Sequence, residues 1–198
     1  MATSKTKIFN MALNDLGVAA PILNADSKDD TRAAIMRNFY ETSRDEVLKA
    51  YDWNFAENYT ALEASETLSL DPKYQFIFDY PEDCICARDV FMQGGNGDRL
   101  KFKPSSCPNG KKIILANVPQ IVLRYTRRVE DEKKFDSEYT ATLALYLAAQ
   151  TGQAITGSQQ KADDSLKRYW DKLRLSKIVN ASESLEVDED NSTYLDAR

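Results

Sequence analysis

Apolar residues fall at helical spacing over Ile8, Phe9, Ala12, Leu13 and Leu16, and again from Ala33 to Tyr51. The period drops to two through Tyr74, Phe76, Phe78 and Tyr80, and returns to the helical value from Tyr139 onward. A period of about 3.6 residues buries one face of a helix and a period of about 2 buries one face of a strand, so neither pattern suits the other conformation. The chain is thereby held to a helix, strand, helix order, the layout of an α+β domain. The two helical ends, about 4–52 and 136–180, are expected to meet as a helical bundle, with a β-rich insertion over about 53–134 and an extended C-terminal tail.

Punctuation residues refine these elements. Gly17 stands where a helix C-terminus favours glycine, so the first helix spans Ser4 to Leu16. Ser27 followed by Asp30 reads as a capping box that opens a second helix ending near Asp52. Strands are expected over Trp53 to Leu62, Tyr74 to Tyr80, Ile85 to Met92, Leu100 to Lys103, Ile113 to Val118 and Ile121 to Arg128. The Asn96-Gly97 and Asn109-Gly110 pairs between them mark hairpin turns. Asp136 can cap a third helix, apolar almost all round and hence central, which Gly152 and Gly157 close. A fourth helix after Ser158 carries Ala162, Leu166, Tyr169 and Leu173 on one stripe. From about Ala181 the period stops among Glu183, Glu186, Asp188, Glu189 and Asp190. Residues 1–180 are therefore expected to form one domain, and 181–198 a flexible acidic arm.

Composition narrows the chemistry. The chain of 198 residues has no histidine, which removes the Ser-His-Asp and Cys-His nucleophilic arrangements and nearly every catalytic zinc site. Its 3 cysteines, Cys84, Cys86 and Cys107, lack the C-x-x-C spacing of a zinc ribbon and are odd in number, so no disulfide framework is indicated. Cys84 and Cys86 read as small buried residues on one strand face. The glycine-rich 94–98 loop lacks the lysine and the strand-to-helix setting of a phosphate loop. No cofactor, metal or membrane partner is expected, since no stretch approaches the roughly 20 apolar residues of a membrane span. With no secretion signal at the N-terminus, a cytoplasmic origin is expected.

Net charge is -5, but residues 99–134 carry 10 basic against 3 acidic side chains. Lys101 and Lys103 would share one strand face and Arg124 and Arg128 another, with Arg127 nearby. These five are candidates for contact with a neighbouring subunit or with DNA, although lysines on strand edges also serve to block unwanted sheet pairing. One function open to these residues is a nucleic-acid-binding module without base readout. Another is a glycan or peptidoglycan hydrolase using Glu57, Glu63 and Glu66 beside Trp53, Phe55 and Tyr59. The closing Tyr194-Leu195-Asp196-Ala197-Arg198 restores aromatic and aliphatic anchors beyond the acidic stretch, the makings of a short docking element.

Several stretches together resemble the tail tubular protein A, or head-to-tail adaptor, family of short-tailed bacteriophages. They are Leu13-Asn14-Asp15-Leu16-Gly17, Arg44-Asp45-Glu46-Val47-Leu48 leading to Trp53-Asn54-Phe55-Ala56, and Tyr74-Gln75-Phe76 running into Tyr80-Pro81-Glu82-Asp83-Cys84. Leu123-Arg124-Tyr125, the alanine-rich 141–149 segment and the terminal pentapeptide complete the set, with Tyr194 where the family carries tryptophan. The resemblance implies a non-enzymatic virion protein of the tail and neck, assembled in the host cytoplasm. It implies a dodecameric ring that joins the capsid portal to the tail nozzle and lets genomic DNA pass during ejection. It also implies that Tyr194, Leu195, Ala197 and Arg198 dock onto the portal or a neighbouring subunit.

Overall fold

A computed structural model describes residues 3–67, 69, 71–107 and 110–183. Helix α1 spans Lys5–Asp15 and α2 spans Thr31–Ala50. Six strands follow: β1 Glu57–Glu63, β2 Phe76–Asp79, β3 Cys84–Met92, β4 Lys103–Ser106, β5 Lys112–Ala116 and β6 Gln120–Arg127. The chain closes with α3, Ser137–Thr156, and α4, Gln159–Glu183. The strands form two antiparallel sheets, ordered β1-β6-β3 and β2-β5-β4.

Local chemistry sets most boundaries. Ser4 accepts the Lys7 N–H at 3.3 Å to open α1. The second helix starts at Thr31, later than a cap at Ser27 would place it, because Asp30 Oδ1 takes the N–H groups of Arg32 and Ala33 at 2.9 and 3.4 Å. The Ser27 carbonyl instead accepts Arg37 Nη1 at 2.7 Å. Asp136 caps α3 by accepting the Tyr139 N–H at 2.5 Å. That helix runs through Gly152 and stops at Gly157, whose φ of 70° ends it with an N–H returned to Gln153 O at 2.8 Å. The residues expected to begin the first strand, Asn54–Ala56, form a 3-10 turn.

The two expected hairpins turn out differently. Around Gly110, β4 and β5 pair from Lys103 opposite Leu115 to Ser106 opposite Lys112, a true hairpin. The 94–98 turn closes only an isolated bridge between Phe91 and Arg99. Past it the chain leaves the first sheet, and β4 starts at Lys103, three residues later than the expected strand.

Two cores result. One gathers Ile8, Phe9, Leu13, Met36, Leu48, Trp53, Tyr139, Leu143 and Leu147, with Val129 and Phe135 from the connection after β6. The other is shared by both sheets: Phe78 on β2, Val90 on β3, Ile114 and Ala116 on β5, and Ile121, Leu123 and Tyr125 on β6.

The expected bundle of N- and C-terminal helices is corrected by this arrangement, which is a mixed α+β fold of four helices and two three-stranded antiparallel sheets. Helices α1, α2 and α4 each pack along α3 instead of closing around a common axis. The physical reason lies in α3 itself, which buries side chains around most of its girth, from Tyr139 and Thr142 to Ala144, Leu147 and Ala148, and exposes chiefly Gln150, Gln153 and Ala154 near its C-terminal end. A helix with so narrow a polar face takes the middle and is lined by partners. Trp53, Val129 and Phe135 add strand-side connections to the same core, so it does not belong to helices alone. The expected tail, including Tyr194, Leu195, Ala197 and Arg198, lies from residue 184 onward outside the described residues.

Candidate functional site

The polar chemistry of the molecule concentrates at the joint between α2 and the β1-β6-β3 sheet. Helix α2 ends at Ala50 with no glycine to close it, and Tyr51 turns directly into extended backbone. Its last carbonyls therefore need donors from elsewhere. Arg88 on β3 supplies them: Nη2 donates to Leu48 O, Lys49 O and Tyr51 O at 3.3, 3.2 and 2.7 Å. Arg88 Nε donates at 2.8 Å to Thr126 Oγ1 on β6, so one guanidinium ties the helix end to two strands.

Arg124, on the central strand β6, forms a second knot. Its Nε donates to Glu57 Oε2 at 2.8 Å and its Nη1 to Asp89 Oδ2 at 2.6 Å, while Nη2 pairs with Asp52. The register explains the convergence, because Tyr59 and Asp89 stand opposite Arg124 on β1 and β3, and Glu57 lies on the Tyr59 face two positions away. Burial pulls the Arg124 pKa below its ordinary value, yet an arginine stays charged at neutral pH. Three carboxylates around one fork hold a shape, and only Asp52 Oδ1 is left buried without a hydrogen-bond partner among them, with Arg88 Nε 3.7 Å away.

A third set faces the groove beside α2. Arg44 is buried and pairs with Asp45 at 2.9 Å, and Asp45 also accepts Arg128 Nε at 3.0 Å. Tyr139 OH donates to Arg44 O at 2.9 Å, and Trp53 Nε1 donates to Val47 O at 2.8 Å. The open groove here, ≈ 490 Å³, is lined by both signs of charge, including Glu41, Glu46, Lys49 and Lys112. Cys84 at its edge has its thiol pushed up to about 12 by burial, with Cys86 adding to the shift, so it remains a protonated thiol at neutral pH.

The five basic residues singled out from the sequence are therefore divided. Lys101 is exposed ahead of β4, and Lys103 on β4 pairs with Asp71 at 2.8 Å. Arg124 is engaged on the other sheet, Arg128 just past β6 pairs with Asp45 of α2, and Arg127 Nε is buried without a hydrogen-bond partner. The structure brings Arg124 to a centre and does not gather the five into one patch. Glu57 is held by Arg124, while Glu63, six positions along β1, is exposed. Six residues of strand separate these two carboxylates by roughly 20 Å, beyond the about 5–9.5 Å of a glycosidase pair. Glu66 is exposed beyond the strand, and Trp53 is fully buried in the helical core. Among the described residues no group of three or more Cys, Asp or Glu could hold a metal ion, and no helix is long and apolar enough to cross a membrane.

Arg88 was legible only indirectly. The signal was a helix end followed by Tyr51-Asp52 rather than glycine, which leaves carbonyls in want of a cation. No protein-family model matches the chain, and no curated protein does.

Proposed function

We propose that the chain is a structural virion subunit: one member of a dodecameric ring that joins a phage capsid portal to the tail nozzle and lets genomic DNA pass. The observation that supports this reading is where the adaptor-like stretches fall. Arg44-Asp45, Trp53 and Arg124 act at the joint, where Asp45 reaches Arg128, Trp53 fastens to Val47 and Arg124 gathers Glu57 and Asp89, while Tyr125 OH donates to Asp83 Oδ1 at 3.0 Å on the side of the core between the sheets. Several of the residues that carry the resemblance thus tie α2 to the sheet, as a part that transmits load between neighbours requires. Carboxylates locked to guanidinium groups serve rigidity better than proton transfer. The net charge of -5 per chain makes a ring acidic overall, so passing phosphates would slide rather than bind.

The test is electron microscopy of the purified chain mixed with portal rings over a range of salt. Stacked rings with the chain as a collar on the portal are expected. Portal rings that stay bare under all conditions would overturn the reading.

A further inference from the structure

Strands β3 and β4 leave the 94–98 turn as the arms of a hairpin that does not close. The Phe91–Arg99 bridge and the Leu100 N–H, donated to Val90 O at 2.7 Å, join them beside the turn. Beyond that point they part, β3 to pair with β6 and β4 to pair with β5. Each is an edge strand of its own sheet, and the two edges run antiparallel on either side of one opening. This opening, ≈ 510 Å³, has residues 85–87 of β3 on one wall and 104–106 of β4 on the other.

Backbone groups on the β4 wall are unclaimed. Cys107 donates its N–H to Lys111 O at 2.8 Å, so by alternation Ser105 and Lys103 also bond to β5, while Pro104 and Ser106 turn their backbone groups outward. Pro104 has no N–H to offer, and β3 is irregular in register between Cys84 and Cys86 and between Ala87 and Asp89. Both devices discourage open-ended sheet pairing. What remains, the Ser106 N–H and the carbonyls beside it, suits one short extended segment.

The side chains around the opening are donors. Lys49 from the last turn of α2 and Lys112, opposite Ser106 on β5, are exposed and make no ion pair among the described residues. Nor do the hydroxyls of Tyr80, Ser105 and Ser106 bond to any described residue. Among the described residues no carboxylate lines the opening. In the adjoining groove Asp45 is held by Arg44 and Arg128, and Glu46 by the Tyr146 hydroxyl, while Glu41 and Glu130 stand beyond ion-pair reach of either lysine. Two unclaimed ammonium groups beside an unpaired strand edge call for an extended backbone that carries negative charge.

We infer that the opening receives an extended acidic segment of a partner protein, which adds as a strand between β3 and β4. Because the walls run antiparallel, the added strand is antiparallel to one and parallel to the other. Main-chain hydrogen bonds hold it to the edges, and carboxylates at alternate positions reach Lys49 and Lys112. The contact does not depend on the adaptor reading.

The probe is a blocked heptapeptide of alternating Glu and Val, titrated against the full-length chain up to about 1 mM at low salt. Saturable binding is expected, with slower hydrogen exchange at residues 85–87 and 106. A peptide with Lys in place of Glu is expected not to bind. An N-methylated acidic peptide keeps the charge and loses the strand hydrogen bonds, and is expected to bind at least about tenfold more weakly. Lys49→Glu and Lys112→Glu, at exposed positions and checked for folding by circular dichroism, are each expected to weaken binding about tenfold, and Lys133→Glu to leave it unchanged. No saturation, equal binding of the N-methylated peptide, or lysine variants that bind like wild type would each overturn the proposal. A rise in affinity when Glu186→Gln and Asp188→Asn neutralise the chain's own acidic stretch would also overturn it, since the occupant would then be that stretch and not a partner.

Discussion

Gly152 shows how one residue sets the distance between three helices. It reads as a stop signal in the sequence, yet it sits inside α3, where an added Cβ would come within 2.9 Å of Leu16 Cδ2 and 3.1 Å of Ala162 Cα. Glycine in a helix interior costs about 1 kcal/mol against alanine, and the packed approach of α1 and α4 offsets that loss. Gly152→Ala therefore sets a propensity gain of about 1 kcal/mol against an overpacking cost of roughly 1–3 kcal/mol. The Leu16 methyl can rotate aside, but the Ala162 backbone moves only if α4 does. A net loss on the order of 1 kcal/mol is expected in denaturant unfolding, partly relieved when Leu16→Ala is added. An alanine variant as stable as wild type would show that the helices do not approach as closely as the packing requires. Sequence alone cannot separate this glycine from Gly157, because a terminator and a contact point share one residue type and differ only in what lies opposite.

The same division between local and distant causes governs the elements. Helix positions followed from period and caps, with Asp136 correctly opening α3 and apolarity all round correctly placing α3 at the centre. What escaped was partnership. The 94–98 turn has hairpin chemistry, but β3 pairs with β6 and β4 with β5, since sheet membership depends on burial of Val90 and Ile114 rather than on the turn between them. The ion-pair centre was half legible: Arg124 was marked as a basic residue, while Asp52 and Asp89, which hold it, carried no pattern of their own. Arg88 is the element-scale test. Arg88→Met removes the donor to three α2 carbonyls and to Thr126, an expected loss of about 2–3 kcal/mol for charged hydrogen bonds at a half-buried site. Hydrogen exchange should quicken first at the C-terminal turn of α2 and along β3, with α4 protected as before. Uniform quickening, or none, would mean that the joint is held by the apolar contacts alone.

At the scale of the whole molecule, the missing histidine returns as a statement about stability. Glu138 is held below its ordinary value of 4.5 first by Lys172, which pairs with it at 2.6 Å, and Asp30 and Asp71 are held below 3.8 first by Arg32 and Lys103. A lowered carboxylate stabilises the fold above its unfolded pKa and loses that contribution as pH falls through the folded value. At the other end, burial raises the pKa of Tyr40, Tyr139 and Tyr146 above the ordinary 10.0 and pushes Tyr80 up to about 12. A raised tyrosine favours the fold while protonated, so its contribution holds below pH 10 and is lost as pH rises through the folded value. Between these limits the usual titrating side chain is absent, since the chain has no histidine. The urea midpoint is therefore expected to be level from about pH 5 to about pH 8 and to fall on both sides, the alkaline fall beginning with Cys84, whose thiol burial pushes up to about 12 from 9.0. Glu138→Gln should shrink the acid limb because its partner Lys172 then gains nothing from ionisation at position 138, and should leave the alkaline limb in place. A midpoint that changes steeply between pH 6 and pH 7 would require a titrating group that this chain does not possess, and would contradict the assignment of its stability to carboxylate pairs and buried phenols.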